Sequence, residues 1–219
     1  MTLVAFDFDG TLSDSEMTVL LGEQCDRVRT GEDAVAEQMA AITRRAMNDE
    51  IGYAESLRRR CALLEGLALA DARMAFEAVT LRPGAADVLA RLREAGVYVA
   101  VLTGGFERGV AAALAAADVA VDTVVANRLP AADGRLTGGV AGPLVAGTKD
   151  DALEVLVAAT GETLSDTVAV GDGANDLPML EVARLPVGFD PKPAVRPACD
   201  ATVATMADLD ALFEQEGLY

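Results

Sequence analysis

Leu3-Val4-Ala5-Phe6-Asp7-Phe8-Asp9-Gly10-Thr11 sets an apolar run directly against a polar, glycine-containing turn. Such a run with no polar alternation reads as a short strand buried on both faces, the mark of a parallel sheet covered by helices. In open sheets of that kind ligands bind beyond the carboxyl ends of the strands, so Asp7 and Asp9 stand where chemistry is expected. If the strand stays regular the two carboxylates share a face, and a turn at Gly10 brings both toward one ligand. Close carboxylates repel each other unless a cation or a shared proton intervenes. Taken alone, the pentapeptide also reads as a turn with solvated Asp residues.

Working outward, similar apolar runs recur at Val97 to Leu102 and Thr167 to Val170, and more weakly at Val121 to Ala126 and Leu185 to Phe189. Helix-like stretches lie between them: Ala85 to Glu94 with Gly96 beyond its end, Phe106 to Ala117, and Asp150 to Ala159 closed by Gly161. This alternation predicts an α/β fold, a doubly wound parallel sheet of Rossmann-like type with helices on both faces. Residues 16–79 break the pattern with consecutive amphipathic, charged helices and no good strand. The expected organisation is therefore a core of residues 1–15 and 80–219 with a helical cap inserted at 16–79. Pro83-Gly84 marks the return to the core, and Asp133-Gly134 within 128–139 predicts a small hairpin.

Composition removes several classes of function. The chain has no His, which excludes Ser-His-Asp and Cys-His mechanisms and leaves carboxylates or Lys as acid and base. Its three cysteines, Cys25, Cys61 and Cys199, are far apart, lack a Cys-x-x-Cys spacing and read as free thiols. A net charge of -17 is the wrong sign for a nucleic-acid phosphate track. Lys occurs only at Lys149 and Lys192 against 35 acidic residues, a balance that resembles proteins of salt-loving organisms. No apolar run approaches the ~18 residues of a membrane span, and Met1 to Asp7 lacks the basic start of a signal peptide, so a cytoplasmic location without membrane contact is expected. Oligomeric state is not legible.

Three further clusters follow apolar runs. Gly171-Asp172-Gly173-Ala174-Asn175-Asp176 offers more hard oxygen ligands, and carboxylates divided between two strands suit octahedral Mg²⁺ better than a calcium loop. Thr103-Gly104-Gly105 combines a hydroxyl with open backbone N–H groups before a helix, a phosphate nest or simply a turn. Lys149 opens a helix-like stretch after Gly147-Thr148, outside any Gly-x-x-x-x-Gly-Lys-Ser/Thr motif, and reads either as a site cation or as a surface lysine.

In this order, Asp-Phe-Asp-Gly-Thr, Thr-Gly-Gly, Lys and Gly-Asp-Gly-x-Asn-Asp resemble the four motifs of the haloacid dehalogenase-like phosphatases, over residues 7 to 176. The resemblance implies Asp7 as the phosphorylated nucleophile and Asp9 as the acid/base. It implies Mg²⁺ held by Asp7, the Asp9 backbone carbonyl and Asp172 with support from Asp176, and a phosphoryl group gripped by Thr103, Gly104 and Lys149. Beyond these motifs, Glu16, Tyr53-Ala54-Glu55-Ser56-Leu57-Arg58-Arg59-Arg60, Ala126-Asn127-Arg128-Leu129 and Asp133 to Gly138 resemble the phosphoserine phosphatases. That likeness implies Glu16 for a substrate ammonium, Arg60 for its carboxylate and Asn175 near the phosphoryl group. It further implies hydrolysis of O-phospho-L-serine in L-serine biosynthesis. Tyr53 and Thr103 stand where that family often has Phe and Ser. Glu16 can instead cap a helix, and Arg60 can be one of three solvated arginines. Another phosphatase of the superfamily, a phosphotransferase, or a binder without turnover are the competing expectations; each takes a small phosphomonoester as its partner.

Overall fold

A computed structural model describes residues 2–29, 34–48 and 50–219; of the expected helical stretch 16–79, residues 30–33 and 49 lie outside it. The chain runs from β1 (Leu3–Phe6) into four helices, α1 (Met17–Val28), α2 (Val35–Met47), α3 (Tyr53–Ala62) and α4 (Leu69–Glu77). It continues with α5 (Ala85–Glu94), β2 (Tyr98–Phe106), α6 (Glu107–Ala116), β3 (Thr123–Asn127) and two short strands, β4 (Ala131–Ala132) and β5 (Arg135–Leu136). It closes with α7 (Lys149–Thr160), β6 (Thr167–Gly171), α8 (Leu177–Val182), β7 (Leu185–Phe189), β8 (Ala201–Val203) and α9 (Met206–Gln215).

Six strands form one parallel sheet in the order β3-β2-β1-β6-β7-β8. Strand alternation splits the core into two layers. Val4 and Phe6 join one apolar cluster with Val88 and Leu89 of α5, Val110 of α6 and Phe213 of α9. Leu3 and Ala5 join the other with Leu153 of α7 and Met179 and Leu180 of α8. These side chains are essentially inaccessible to solvent, and each fully buried Leu or Phe contributes about 1.5–3 kcal/mol. The doubly wound α/β prediction therefore describes the sheet, with helices on both faces.

The four helices inserted after β1 pack on one another, α1 against α2 and α4, and α4 reaches α6. Their two connections to the sheet run side by side: the Ser13 hydroxyl donates to the Thr80 carbonyl at 2.7 Å and the Arg82 N–H to the Leu12 carbonyl at 2.8 Å. The predicted hairpin exists, with Asp133 and Gly134 both at positive φ, as a two-residue turn requires. It is fastened to the inserted helices, since Leu136 N–H donates to the Leu67 carbonyl and Gly66 N–H to that of Leu136.

Two details differ from expectation. β2 does not end at Leu102 but continues through Thr103-Gly104-Gly105 to Phe106, with its register to β3 shifting between Leu102 and Phe106. Pairing of Phe106 with Asn127 holds the strand, and the extra residues form a bulge at its carboxyl end, where bulges re-aim backbone groups. β8 and α9 extend the sheet and cover it at the C-terminal end of the chain, beyond the strands anticipated from sequence. Cys25 and Cys61 are buried free thiols and Cys199 is a partly exposed one. No helix among the described residues is long and apolar enough to cross a membrane.

Candidate active site

Parallel register assembles the site. Phe6 of β1 pairs with Val101 of β2 and Val170 of β6, so Asp7, Thr103 and Asp172 emerge at nearly one height beside each other. Asp7 N–H donates to the Val170 carbonyl at 2.8 Å, keeping Asp7 on the strand line. It follows the parity of Leu3 and Ala5, toward the layer that α7 covers. That helix starts at Lys149 because Thr148 and Asp151 form a capping box around its first turn.

Lys149 is buried, and its ammonium donates to one oxygen of Asp7 and to Oδ1 of Asp176. A cation at a helix N-terminus faces the positive end of the helix dipole, so this placement depends on the two carboxylates. Asp176, fully buried, uses Oδ2 to accept the N–H groups of Asp172 and Gly173, each at 2.9 Å. The Asp172 carboxylate lies 2.9 Å from the Lys192 ammonium and is packed by Gly10. Gly10 has φ +93°, and a Cβ there would sit 2.6 Å from Asp172 Oδ1, so glycine is required on both counts. Asp7, Asp172 and Asp176 bring ligand oxygens within 4.8 Å of one another, all on buried residues.

The bulge of β2 forms the opposite wall. Thr103 is buried and its hydroxyl accepts the Gly105 N–H at 2.9 Å. Asn127, buried at the end of β3, donates from Nδ2 to the Gly104 carbonyl at 3.0 Å and accepts the Leu144 N–H at 3.1 Å. One side chain thus ties the bulge to the loop leading to Lys149. Asp9 reaches this wall, because a Cβ on Gly105 would lie 2.9 Å from its Oδ2, while its Oδ1 is buried with no partner. Gly104, Lys149, Asn175 and Tyr53 line a cleft of about 130 Å³.

Of the residues on the inserted helices, Glu16 occupies the N-cap position of α1, yet its side chain makes no capping hydrogen bond. Arg59 pairs with Glu55 at the surface, whereas Arg60 turns inward, donating to the Thr18 hydroxyl at 3.0 Å and leaving its Nε buried without a partner. Neither the capping reading nor the solvated-arginine reading describes these two side chains.

The haloacid dehalogenase-like hydrolase family matches residues 4–181, an interval that contains every residue of this site from Asp7 to Asp176. A phosphoserine phosphatase of Halobacterium salinarum is 54% identical over 218 residues, covering 100% of both chains. This chain belongs to the phosphoserine phosphatase family of haloacid dehalogenase-like hydrolases. Among solved structures, a substrate-bound phosphoserine phosphatase complex is similar at TM-score 0.85 and 32% identity, covering 98% of this chain and 97% of the other. A phospho-aspartyl intermediate analogue of phosphoserine phosphatase is similar at TM-score 0.81 and 34% identity, covering 92% of each.

In this hydrolase burial raises both leading carboxylates. Burial, with Asp176 adding repulsion, pushes Asp7 up to about 8 against the pull of Lys149. Burial, then Glu16 and Asp7, hold Asp9 well above the usual carboxylate range. Desolvation acts to lower Lys149, but Asp176 and Asp7 outweigh it and hold it above its ordinary value. Glu16 is exposed, yet partial desolvation by the surrounding site raises it, with Lys192 and Arg60 opposing. An elevated Asp7 means that Lys149 alone does not neutralise the buried carboxylates, and an all-oxygen donor set of this kind fits a hard divalent cation.

Three contributors were given no role at the site from sequence, Asn127 having been quoted only within a stretch that carries the family resemblance. Asn127 carried a usable signal, since it is a polar residue at the carboxyl end of a parallel strand like the others. Lys192 meets Asp172 only because β7 lies beside β6. Arg82 donates to the Gly10 carbonyl at 3.1 Å and lies over the Phe189 ring, contacts made across 72 and 107 positions of sequence.

Proposed function

We propose that this protein hydrolyses O-phospho-L-serine to L-serine and phosphate through an aspartyl-phosphate on Asp7, with residues 16–79 acting as a cap over a core of 1–15 and 80–219. The observation that carries this reading is a buried Asp7 paired with Lys149 and, two residues on, a second carboxyl, Asp9, that burial holds well above the usual carboxylate range. Paired carboxyls in different environments mark a nucleophile and an acid.

In the first step an Asp7 oxygen bonds to phosphorus as the bond from phosphorus to the serine oxygen breaks, and Asp9 gives its proton to that oxygen. In the second, Asp9, now a carboxylate, takes a proton from the water whose oxygen attacks the same phosphorus. The bond to Asp7 breaks and inorganic phosphate leaves. Asp7, Asp172 and the Asp9 backbone carbonyl, with Asp176 in support, would hold a Mg²⁺ ion, which would supply positive charge to the phosphate oxygens. Lys149 and the Thr103-Gly104-Gly105 bulge bind and orient the phosphoryl group, which is where most catalysis of phosphoryl transfer originates. Asn175 borders the same cleft. Glu16 is assigned to the substrate ammonium and Arg60, with its unpaired Nε, to the carboxylate. A cytoplasmic place in L-serine biosynthesis completes the reading.

The test is phosphate release from L-phosphoserine, phosphothreonine, sugar phosphates and nucleotides, with Mg²⁺ or chelator, at low and high salt. Preference for L-phosphoserine that vanishes with chelator is expected; Mg²⁺-dependent preference for another ester would discard the substrate assignment while keeping Asp7. Glu16→Gln should raise KM for L-phosphoserine about tenfold or more and leave p-nitrophenyl phosphate turnover unchanged. Equal losses on both esters would remove Glu16 from substrate recognition.

Metal binding should be linked to pH. With Asp7 raised from 3.8 to about 8, the metal-free fold keeps a proton that the unfolded chain has released, so its stability falls as pH rises through that window. A cation that binds ionised Asp7 displaces this proton. The rise in Tm produced by Mg²⁺ should therefore be larger at pH 8.5 than at pH 6. A shift of Tm independent of pH would separate the ion from Asp7.

A further inference from the structure

Tyr53 is the first residue of α3, and it reaches across the cleft to the wall built by β2. Its hydroxyl stands directly over Gly104: a Cβ at that position would lie 1.8 Å from Tyr53 Oη and 3.0 Å from Cζ. Only glycine leaves room for this approach. Lys149 and Asn175 line the same cleft, and the hydroxyl lies within the fields of Lys149, Arg60, Asp7 and Asp9. Burial pushes it up to about 12, so the hydroxyl is a donor at every working pH.

The side chain as a whole is 42% exposed, and among the described residues its hydroxyl has no hydrogen-bond partner in the protein, so it is free to donate to a ligand in the cleft. A Phe would line the same cleft but offer a ligand no donor. The space in front of this hydroxyl is bounded by the bulge and by Lys149, both suited to an oxyanion. The amino-acid end of the site lies with Glu16, Arg60 and Thr18 instead.

We infer that Tyr53 is a substrate-binding residue whose hydroxyl donates a hydrogen bond to a non-bridging phosphoryl oxygen. This rests on the phosphomonoesterase reading above. The inserted helices then carry one of the donors to phosphate, so a phosphate-bearing ligand ties those helices to the Gly104 wall. L-Serine alone, held by Glu16 and Arg60, does not engage this donor.

The probes are inorganic phosphate and L-serine, each titrated calorimetrically into the Mg²⁺-loaded protein and its Tyr53→Phe variant. A donor to a dianion is worth about tenfold or more in affinity. Tyr53→Phe should weaken phosphate by that factor and leave L-serine unchanged, while KM for L-phosphoserine rises. Unchanged phosphate affinity overturns the inference. So does an equal loss for both ligands, which would mean that removing the hydroxyl merely displaces the helices bearing Glu16 and Arg60. A wild-type protein that binds phosphate but ignores L-serine overturns the phosphoserine assignment alone, and the phosphate comparison still decides the role of Tyr53.

Discussion

Asp7→Asn is expected to abolish turnover of L-phosphoserine, a loss on the order of 10⁴–10⁶-fold in kcat. The amide is isosteric but cannot form the phosphoryl ester that divides the reaction into two steps. The loss should be chemical and not structural. In the metal-free protein burial already holds Asp7 well above the usual carboxylate range, so a neutral amide should leave the metal-free Tm equal or higher. Asp9→Asn keeps the nucleophile and removes the acid, so its cost should be ~10²–10⁴-fold, with radiolabel from phosphoserine retained on the protein because hydrolysis of the aspartyl-phosphate slows. Rapid-quench phosphorylation of both variants separates the roles. Near-normal turnover in Asp7→Asn would overturn the mechanism, and an Asp9→Asn variant that neither slows nor retains label would remove Asp9 from proton transfer.

The ordering of these two carboxylates was legible because strand geometry is local. An apolar run ending in Asp7-Phe8-Asp9-Gly10 announces both a buried strand and its carboxyl end, and Thr167 to Asp172 repeats the pattern. Lys149 was legible as a helix start, since Thr148 and Asp151 are three residues apart. The fate of its ammonium was not, because it depends on β1 and β6 lying beside one another, so that Asp7 and Asp176 converge across 142 and 27 positions. The β2 bulge was illegible for a similar reason: Thr103-Gly104-Gly105 has the composition of a loop, and only pairing to β3 keeps it in the strand. Thr205 and Asp208 form a capping box that marks the start of α9 in sequence. Nothing local told that α9 would place Phe213 edge-on against Phe6.

Lys149→Met should be the most destabilising single change in the site. Methionine matches the length of the lysine stem, so the packing of the stem is kept and the charge alone is lost. Asp7 and Asp176 are then two buried carboxylates without their shared counter-ion, a situation that costs about 3–5 kcal/mol in comparable buried pairs. For a chain of this length that is roughly 10 °C in Tm. The two groups can escape part of the penalty by taking up a proton. Their folded-state values then rise further above those of the unfolded chain, and the deficit relative to wild type should grow as pH rises from 5 to 8. Urea unfolding of the metal-free proteins at both pH values measures it. Mg²⁺ should recover part of the stability, because a cation returns to the carboxylates, but not the activity, because no ammonium remains to bind the phosphoryl oxygens. A variant as stable as wild type at pH 8 without metal would show that Lys149 is not the counter-ion of this cluster. Recovery of full activity by Mg²⁺ would show that its charge is dispensable to phosphoryl transfer.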